Sequence, residues 1–409
     1  MIHSRQPETE LMKASSAQAA SYSPTLDVTN PAQVFAATTQ ALQNLLTYYT
    51  PTQSGVFSQV QTPWHESGMI WGMFFDYAKW TGDTQFLELV TDALVNISYV
   101  TEHAKVSRLT EVEYLSDFLG GNAVSVVQTL LGVWNDDLLW PSQAAVGGAE
   151  VFGPNAIMPR SNGDWISLAT KTYDQTGVET DDKCGGGIYW SRDRGSPSGV
   201  YKSLITQIEF ISQGARNYLQ TKNETALAQS KQVLDWIMSS GLGNLNTGEL
   251  LDGMPSNNCQ QFTKTSWSYN YGQLIGSLAW MNLATKNQTY LDMISPFFDY
   301  SVKLFAPTGV ITELCEADVS CNRDQQGFKA IYARNLVYVY RQTTNATIKD
   351  AIQKMIDASV NAMVSNSCDK QWNCGGNWTT DTQPVKYIRS QAVSAALLVS
   401  AIGIHGISS

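Results

Sequence analysis

Basic residues are scarce in this chain. Its 409 residues hold 26 Lys and Arg against 36 Asp and Glu, a net charge of −10, and only 15% of positions are charged. Nucleic acid requires a Lys/Arg surface, so it is excluded as a partner, and a neutral substrate fits better. Histidine is rarer still, with 4 copies, and no Cys-x-x-Cys occurs. His65, the best placed of the four, has no second His at ligand spacing, so zinc lacks its ligands and neither metal nor cofactor is expected. No run reaches the roughly 18 apolar residues of a membrane span, and no transmembrane segment is expected. Residues 1–29 lack the apolar stretch of a secretory leader and read as a polar extension, in part disordered, from which we expect a leader to have been removed.

Cysteines and sequons point the other way, to an oxidising compartment. Cys315 and Cys321 are close in sequence, as are Cys368 and Cys374. Their spacing favours two local bridges and leaves Cys184 with Cys259, although six cysteines formally allow about 15 connectivities. Asn-x-Ser/Thr sequons stand at Asn96, Asn223, Asn287, Asn345 and Asn377. Together these features favour a secreted or surface-associated glycoprotein. Aromatic content is high, with 12 Trp and 18 Tyr, and aromatic platforms are a common way to hold the apolar faces of sugar rings.

Helical periodicity dominates from residue 30 onward. Ala123, Val126, Val127, Leu130 and Leu131 fall on one helical stripe, as do Ile348, Ile352, Met355, Ile356 and Val360. Similar patterns predict helices over about 32–49, 66–80, 84–105, 141–152, 162–176, 202–220, 225–239, 267–284, 289–305, 326–342 and 385–403. Tight turns recur at Gly82-Asp83-Thr84, Gly153-Pro154, Asn223, Asn287 and Asn345. Gly or Asn can end one helix in the left-handed conformation there, and Thr can cap the next. One hairpin plus a long connection per step fits about six hairpins between residues 30 and 405, and six hairpins can close into an all-α (α/α)6 barrel forming a single domain. An open helical solenoid is the alternative. Segments 122–134 and 202–220, with small and aromatic residues rather than a continuous exposed apolar face, are the expected inner helices.

Two adjacent carboxylates carry the chemistry. Asp136 and Asp137 lie in Trp134-Asn135-Asp136-Asp137-Leu138-Leu139-Trp140, between two apolar stripes. Burial beside aromatic rings drives the pKa values of neighbouring carboxyls apart, leaving one as an acid and one as a nucleophile or base, as glycosidic cleavage needs. Their proximity suits a retaining enzyme better than an inverting one. A solvated helix N-terminus is the bland reading of the same dipeptide. Asp181-Asp182, a second pair, has polar neighbours and reads as solvated. The run Cys184-Gly185-Gly186-Gly187-Ile188-Tyr189-Trp190 lets backbone approach a ligand closely and offers stacking rings, and Trp267-Ser268-Tyr269-Asn270-Tyr271 opens a helix with polar residues among aromatics.

These segments, with Tyr201-Lys202-Ser203, Asp252-Gly253 and Asp324-Gln325-Gln326-Gly327-Phe328-Lys329, together resemble glycoside hydrolase family 76, the α-1,6-mannanases, and its fungal secreted branch in particular. Order and spacing hold from about residue 30 to 405. The resemblance implies an (α/α)6 barrel and retaining, endo-acting cleavage of α-1,6-linked mannose, with Asp136 as nucleophile and Asp137 as acid/base. Substrate-binding residues expected in the cleft are Trp71, Asp76, Asn122, Trp134, Asn135, Trp190, Asp252, Trp267, Tyr269, Asn270 and Asp324. The partner expected is a mannose polysaccharide or glycan, bound by a monomer. Two alternatives stay open: a transglycosylase acting on the mannose core of glycolipid-anchored wall proteins, and a catalytically weak mannan-binding wall protein. One departure bears on both, since the family places two tryptophans after the acidic pair where this chain reads Leu138-Leu139-Trp140-Pro141. Proline suits a helix's first turn, so the fold is expected to survive it. Gln207 after Thr206 also replaces the family's usual Asn.

Overall fold

Helices of two kinds alternate along this sequence. Ser268–Thr285 buries Ser268, Asn270, Gly272, Gln273, Gly276 and Ser277 together with its apolar residues. By contrast, Glu224–Ser240 buries one stripe of Ala226, Leu227, Ser230, Leu234 and Ile237, with Trp236 beside it, and leaves most of its other residues to water. A helix covered all round must lie inside other helices, and one with a single stripe lies outside them.

A computed structural model of the chain describes residues 23–51, 55–57, 64–105, 134–159, 163–380 and 387–406. Its main helices are α1 (Pro31–Leu46), α2 (Trp64–Thr81), α3 (Leu87–Lys105), α4 (Asn135–Phe152), α5 (Trp165–Gly177), α6 (Leu204–Thr221), α7 (Glu224–Ser240), α8 (Ser268–Thr285), α9 (Ile294–Phe305), α10 (Phe328–Gln342), α11 (Ala346–Ser367) and α12 (Ile388–His405). Even-numbered helices pack in a closed ring, α2 to α4, α6, α8, α10, α12 and back to α2, and the odd-numbered ones lie outside. This is the (α/α)6 barrel, and the α12–α2 contact excludes the open solenoid. Arg389 Nε and Nη2 reach both carboxylate oxygens of Glu66, 3.0 and 2.9 Å away, across that closing seam. Since α1 packs on α12, the chain's two ends supply the sixth pair. By length and composition α12 could cross a membrane, but it is an inner helix and 89% buried.

Each recurring turn leads from an inner to an outer helix; a glycine of positive φ ends the inner helix at Gly82 and Gly153, as expected, but the three asparagine turns work differently. Asn223 and Asn345 cap α7 and α11, Oδ1 accepting from Thr225 N and Thr347 N at 3.0 Å each, and Asn287 makes the same turn, its Oδ1 accepting from Thr289 N at 3.1 Å, without capping α9. Left-handed backbone ends α6 and α8 at Lys222 and Lys286, each with φ of 59°. The sequon asparagines 223, 287 and 345 are exposed at these turns, while Asn96 and Asn377 are half-buried.

Helix α4 starts at Asn135 instead of 141, so the acidic pair forms its first turn and Pro141 lies well inside it. Pro141 cannot donate the helical bond to the carbonyl of Asp137. Its ring occupies the space that Gly68 of α2 leaves open, since a Cβ on Gly68 would fall 2.5 Å from Pro141 N. Glycine against proline thus lets the two inner helices cross closely. Of the predicted helix 122–134, residues 122–133 lie outside the described residues, and Trp134 is extended, just ahead of α4.

Toward their C-terminal ends the inner helices converge on buried ions. Lys79 Nζ lies 3.0 Å from Asp76 and 2.8 Å from Glu150, Arg216 Nε 2.7 Å from Glu150, and Arg334 Nη2 2.7 Å from Asp76. Burial alone would raise the Asp76 pKa, but Lys79 and Arg334 outweigh it and hold this carboxyl below the usual range.

Candidate active site

Inner-helix N-termini point toward the opposite end of the barrel, where their partial positive charge favours carboxylates. Backbone pairing builds the site there. Asn135 N donates to Trp190 O at 2.7 Å, Asn135 Nδ2 to Tyr189 O at 2.7 Å, and Trp190 N to Tyr201 O at 2.8 Å. The segment after the triple glycine is thereby stitched between the start of α4 and β1 (Tyr201–Ser203), which pairs antiparallel with β2 (Gly253–Pro255). Gln207 clamps it from below, accepting from Ile188 N at 2.8 Å and donating to Ile188 O at 2.6 Å. The glycines serve this docking instead of admitting a ligand: Gly187 has φ of 84°, and a Cβ on it would lie 2.5 Å from the Trp236 ring. The outcome is Trp190 Nε1 3.0 Å from Asp136 Oδ2.

Asp136 is buried. Burial first, and then the neighbouring Asp137, push its carboxyl up to about 8, against the pull of the Trp190 N–H and of His65. The free pair therefore holds a proton at neutral pH. Asp137 keeps 16% of its side-chain surface exposed, and His65 Nδ1 lies 3.3 Å from its Oδ1. Burial holds the His65 pKa low despite Glu66, Asp136 and Asp324 nearby, and a neutral imidazole can donate from Nδ1 to that carboxylate.

Around the pair, polar atoms are buried without partners: Trp134 Nε1, Asn135 Oδ1, Asp136 Oδ1, Glu209 Oε2 and Asn270 Oδ1. Each such atom costs about 1–3 kcal/mol in a closed core. Together they form a lining of donors and acceptors that ligand hydroxyls can satisfy. Asp252 extends it, its two oxygens 3.2 Å from Asn270 Nδ2 and 3.3 Å from Tyr201 OH. Aromatic walls complete it. Trp134 and Trp190 have ring centroids 6.2 Å apart, and Tyr269 stacks on Phe328 at 3.9 Å, with Trp267 edge-on to the same ring at 5.6 Å.

Of the expected binding residues, Trp134, Asn135, Trp190, Asp252, Tyr269 and Asn270 gather about the pair, Trp267 stands beside Tyr269, and Asp324 faces His65. Trp71 does not join them. It is fully buried, its rings packed on Tyr49, Phe57 and Phe74 and its N–H given to Gly55 O at 2.9 Å, so it offers no face to a sugar. Asp76 is likewise committed to the ion network at the far end. Asn122 lies outside the described residues. Sequence reasoning passed over Glu209, although a carboxylate between Ile208 and Phe210 on an all-buried helix is itself a signal. It also left His65 without a role. His65, Glu66 and Asp324 bring ligand atoms within 4.8 Å of one another, but Arg389 occupies both Glu66 oxygens. All three expected disulfides are present: Cys184–Cys259, which ties the glycine segment to the β2 connection, Cys315–Cys321 and Cys368–Cys374. Asp181 is structural, accepting from Lys202 Nζ at 2.9 Å and Tyr189 OH at 2.6 Å.

An acidic pair at an inner-helix N-terminus of an (α/α)6 barrel can be compared with known families, and the profile of glycosyl hydrolase family 76 matches residues 33–405. The chain belongs to this family. It is therefore a glycoside hydrolase. Mannan endo-1,6-alpha-mannosidase DFG5 of Saccharomyces cerevisiae is 27% identical over 395 residues, covering 93% of this chain and 80% of the relative. The DCW1 mannosidase of the same yeast is 26% identical over 381 residues, covering 90% and 79%. Among solved structures, Dfg5 from Chaetomium thermophilum in complex with glucosamine superposes with a TM-score of 0.75 at 21% identity, over 92% of each chain. An alpha-1,6-mannanase of Salegentibacter sp. HEL1_6, inactivated by replacing two consecutive aspartates with asparagine and bound to alpha-1,6-mannotriose, gives 0.71 at 16% identity, over 91% and 99%. At those identities the superpositions speak for the fold.

Proposed function

We propose that the protein is a retaining, endo-acting mannosidase that cleaves α-1,6 linkages in mannan or in mannose-containing cell-wall glycans. The observation that carries this is the acidic pair, buried on one side, open on the other, and ringed by unpartnered polar atoms and aromatic faces. Asp136 acts as nucleophile: the Trp190 N–H fixes Oδ2 and leaves Oδ1 to attack the anomeric carbon. Asp137, in contact with solvent and His65, gives its proton to the departing oxygen and then activates the acceptor. One proton on the pair is what this sequence requires, and it must reside on Asp137 when the bond breaks. Names of the yeast mannosidases and the inactivated mannanase–mannotriose complex support the substrate class. Three disulfides support action outside the cell or at its surface.

A wall-binding protein without turnover fits less well, because burying Asp136 against an adjacent carboxyl is costly and a lectin gains nothing from it. Incubation with defined α-1,6-mannooligosaccharides, reading product size and anomeric form by NMR, tests the proposal. Shorter products of retained configuration are expected, and products longer than the substrate would mean that a sugar hydroxyl replaces water as acceptor. An inverted anomer, or no reaction, would overturn it.

A further inference from the structure

Glu209 lies on α6 with no solvent contact, facing Asp136 and Asp137 from α4 and Tyr269 from α8. A chain of side-chain amides leads to it. Asn335 Nδ2 donates to the backbone carbonyl of Ile331 at 3.0 Å, which fixes the orientation of that amide, and donates also to Gln273 Oε1 at 2.9 Å. Gln273 must then present Nε2 to Gln143 Oε1, 3.1 Å away, and Gln143 its Nε2 to Glu209 Oε1 at 3.3 Å. Each amide passes a hydrogen forward, so Glu209 Oε1 is an acceptor. Its other oxygen, Oε2, is buried and has no protein partner. An ionised carboxylate left this way, beside two more carboxyls, would be an uncompensated buried charge.

We propose that Glu209 works as a neutral carboxylic acid whose Oε2–H rises from the barrel floor to donate to a hydroxyl of the sugar held at Asp136, making it a specificity-determining residue. The proposal rests on the glycosidase reading for its ligand, while its protonation state rests on the buried Oε2 left without a partner beside two further carboxyls. Burial, and then Asp136 and Asp137, push the Glu209 pKa well above the ordinary carboxyl range, in the same sense. Glutamine is the isostere of the protonated acid: it can accept from Gln143 and still donate upward. Alanine cannot.

The test compares Glu209→Gln and Glu209→Ala on α-1,6-mannotriose, with circular dichroism to check folding and Asp136→Asn as the inactive reference. Glu209→Gln should stay within about threefold of wild type in kcat/KM, and Glu209→Ala should lose about tenfold, the effect of one missing hydrogen bond. Equal, severe loss in both folded variants would mean that Glu209 works as an anion, and no loss in either would mean that it touches no sugar; each overturns the proposal. Infrared difference spectroscopy of wild type against Glu209→Gln at neutral pH reads the protonation without any substrate. A protonated-carboxyl band must be present, and a carboxylate band in its place refutes the inference. A wild type inert on mannotriose but showing the acid band would instead refute the glycosidase reading.

Discussion

A few atoms at Asp136 decide the chemistry. Its Oδ2 is pinned by an indole N–H that can only donate, and its Oδ1 is left over for bond formation. Trp190→Phe keeps the ring and removes that donor, so it should lower kcat by roughly tenfold with the fold intact; a change in KM alone would place Trp190 in binding only. Burial of Asp136 also marks stability. Its folded pKa, about 8, lies above its ordinary value of 3.8, so protonation favours folding. That contribution is complete below pH about 4 and is lost as pH rises to about 8. Asp136→Asn should therefore melt higher than wild type above pH 8, with a stability gain on the order of 6 kcal/mol at most, and the advantage should vanish toward pH 4. Thermal melts across pH read this directly, and a mutant less stable at pH 9 would contradict it. The sequence alone made the pair legible as two competing carboxyls. Trp71 and Asp76 were misplaced because residue type and order do not tell which face of α2 a side chain takes: one joins the aromatic core, the other the ion network.

Among elements, the segment from Gly186 to Ser191 matters most, because it is neither helix nor strand yet carries Trp190. Its position depends on Gly187 lying against Trp236, a contact that no periodicity announces. Gly187→Ala would drive a methyl into that ring at a positive φ. It should lower activity and stability together, whereas Trp267→Ala, at a half-buried ring against Phe328, should weaken sugar binding at nearly unchanged melting temperature. If Trp267→Ala unfolds the protein, that ring is core. Helix positions were largely legible from the 3.6-residue pattern. The start of α4 was not: Pro141 read as a helix beginning, when Gly68 on α2 makes room for it inside one. Nor were the turn mechanisms, since lysines in left-handed backbone have no sequence signature, and Gln207 acquires its role only once Ile188 folds onto it.

Across the whole molecule, the number of hairpins was legible from the recurring turns and closure from inner candidates such as 202–220 with no continuous exposed apolar face, but which pair closes the ring was not, because α1 and α12 come from opposite ends of the chain. The Glu66–Arg389 pair spans the α2–α12 seam within a few residues of the acidic pair. Arg389→Ala should destabilise by about 3–5 kcal/mol, as expected when one partner of a buried ion pair is removed; chemical denaturation measures it, and a loss under 1 kcal/mol would show the seam to be held by packing alone. Likewise the Cys184–Cys259 bridge closes a separation of 75 residues, worth about 4 kcal/mol by loop-closure entropy. Its double serine variant should unfold earlier in urea by that amount, and an unchanged midpoint would refute the estimate.

The central claim is that Asp136 becomes covalently bonded to the sugar while Asp137 supplies and recovers the proton. Mass spectrometry of Asp137→Asn after exposure to an α-mannoside with a good leaving group tests it most directly. Such a substrate needs little protonation, so the first step should proceed and the intermediate persist without a base. The account predicts a mannosyl adduct on the peptide containing Asp136, absent from Asp136→Asn treated in the same way. No adduct on Asp136, or equal loss of turnover in both variants with the intermediate on Asp137, would contradict it.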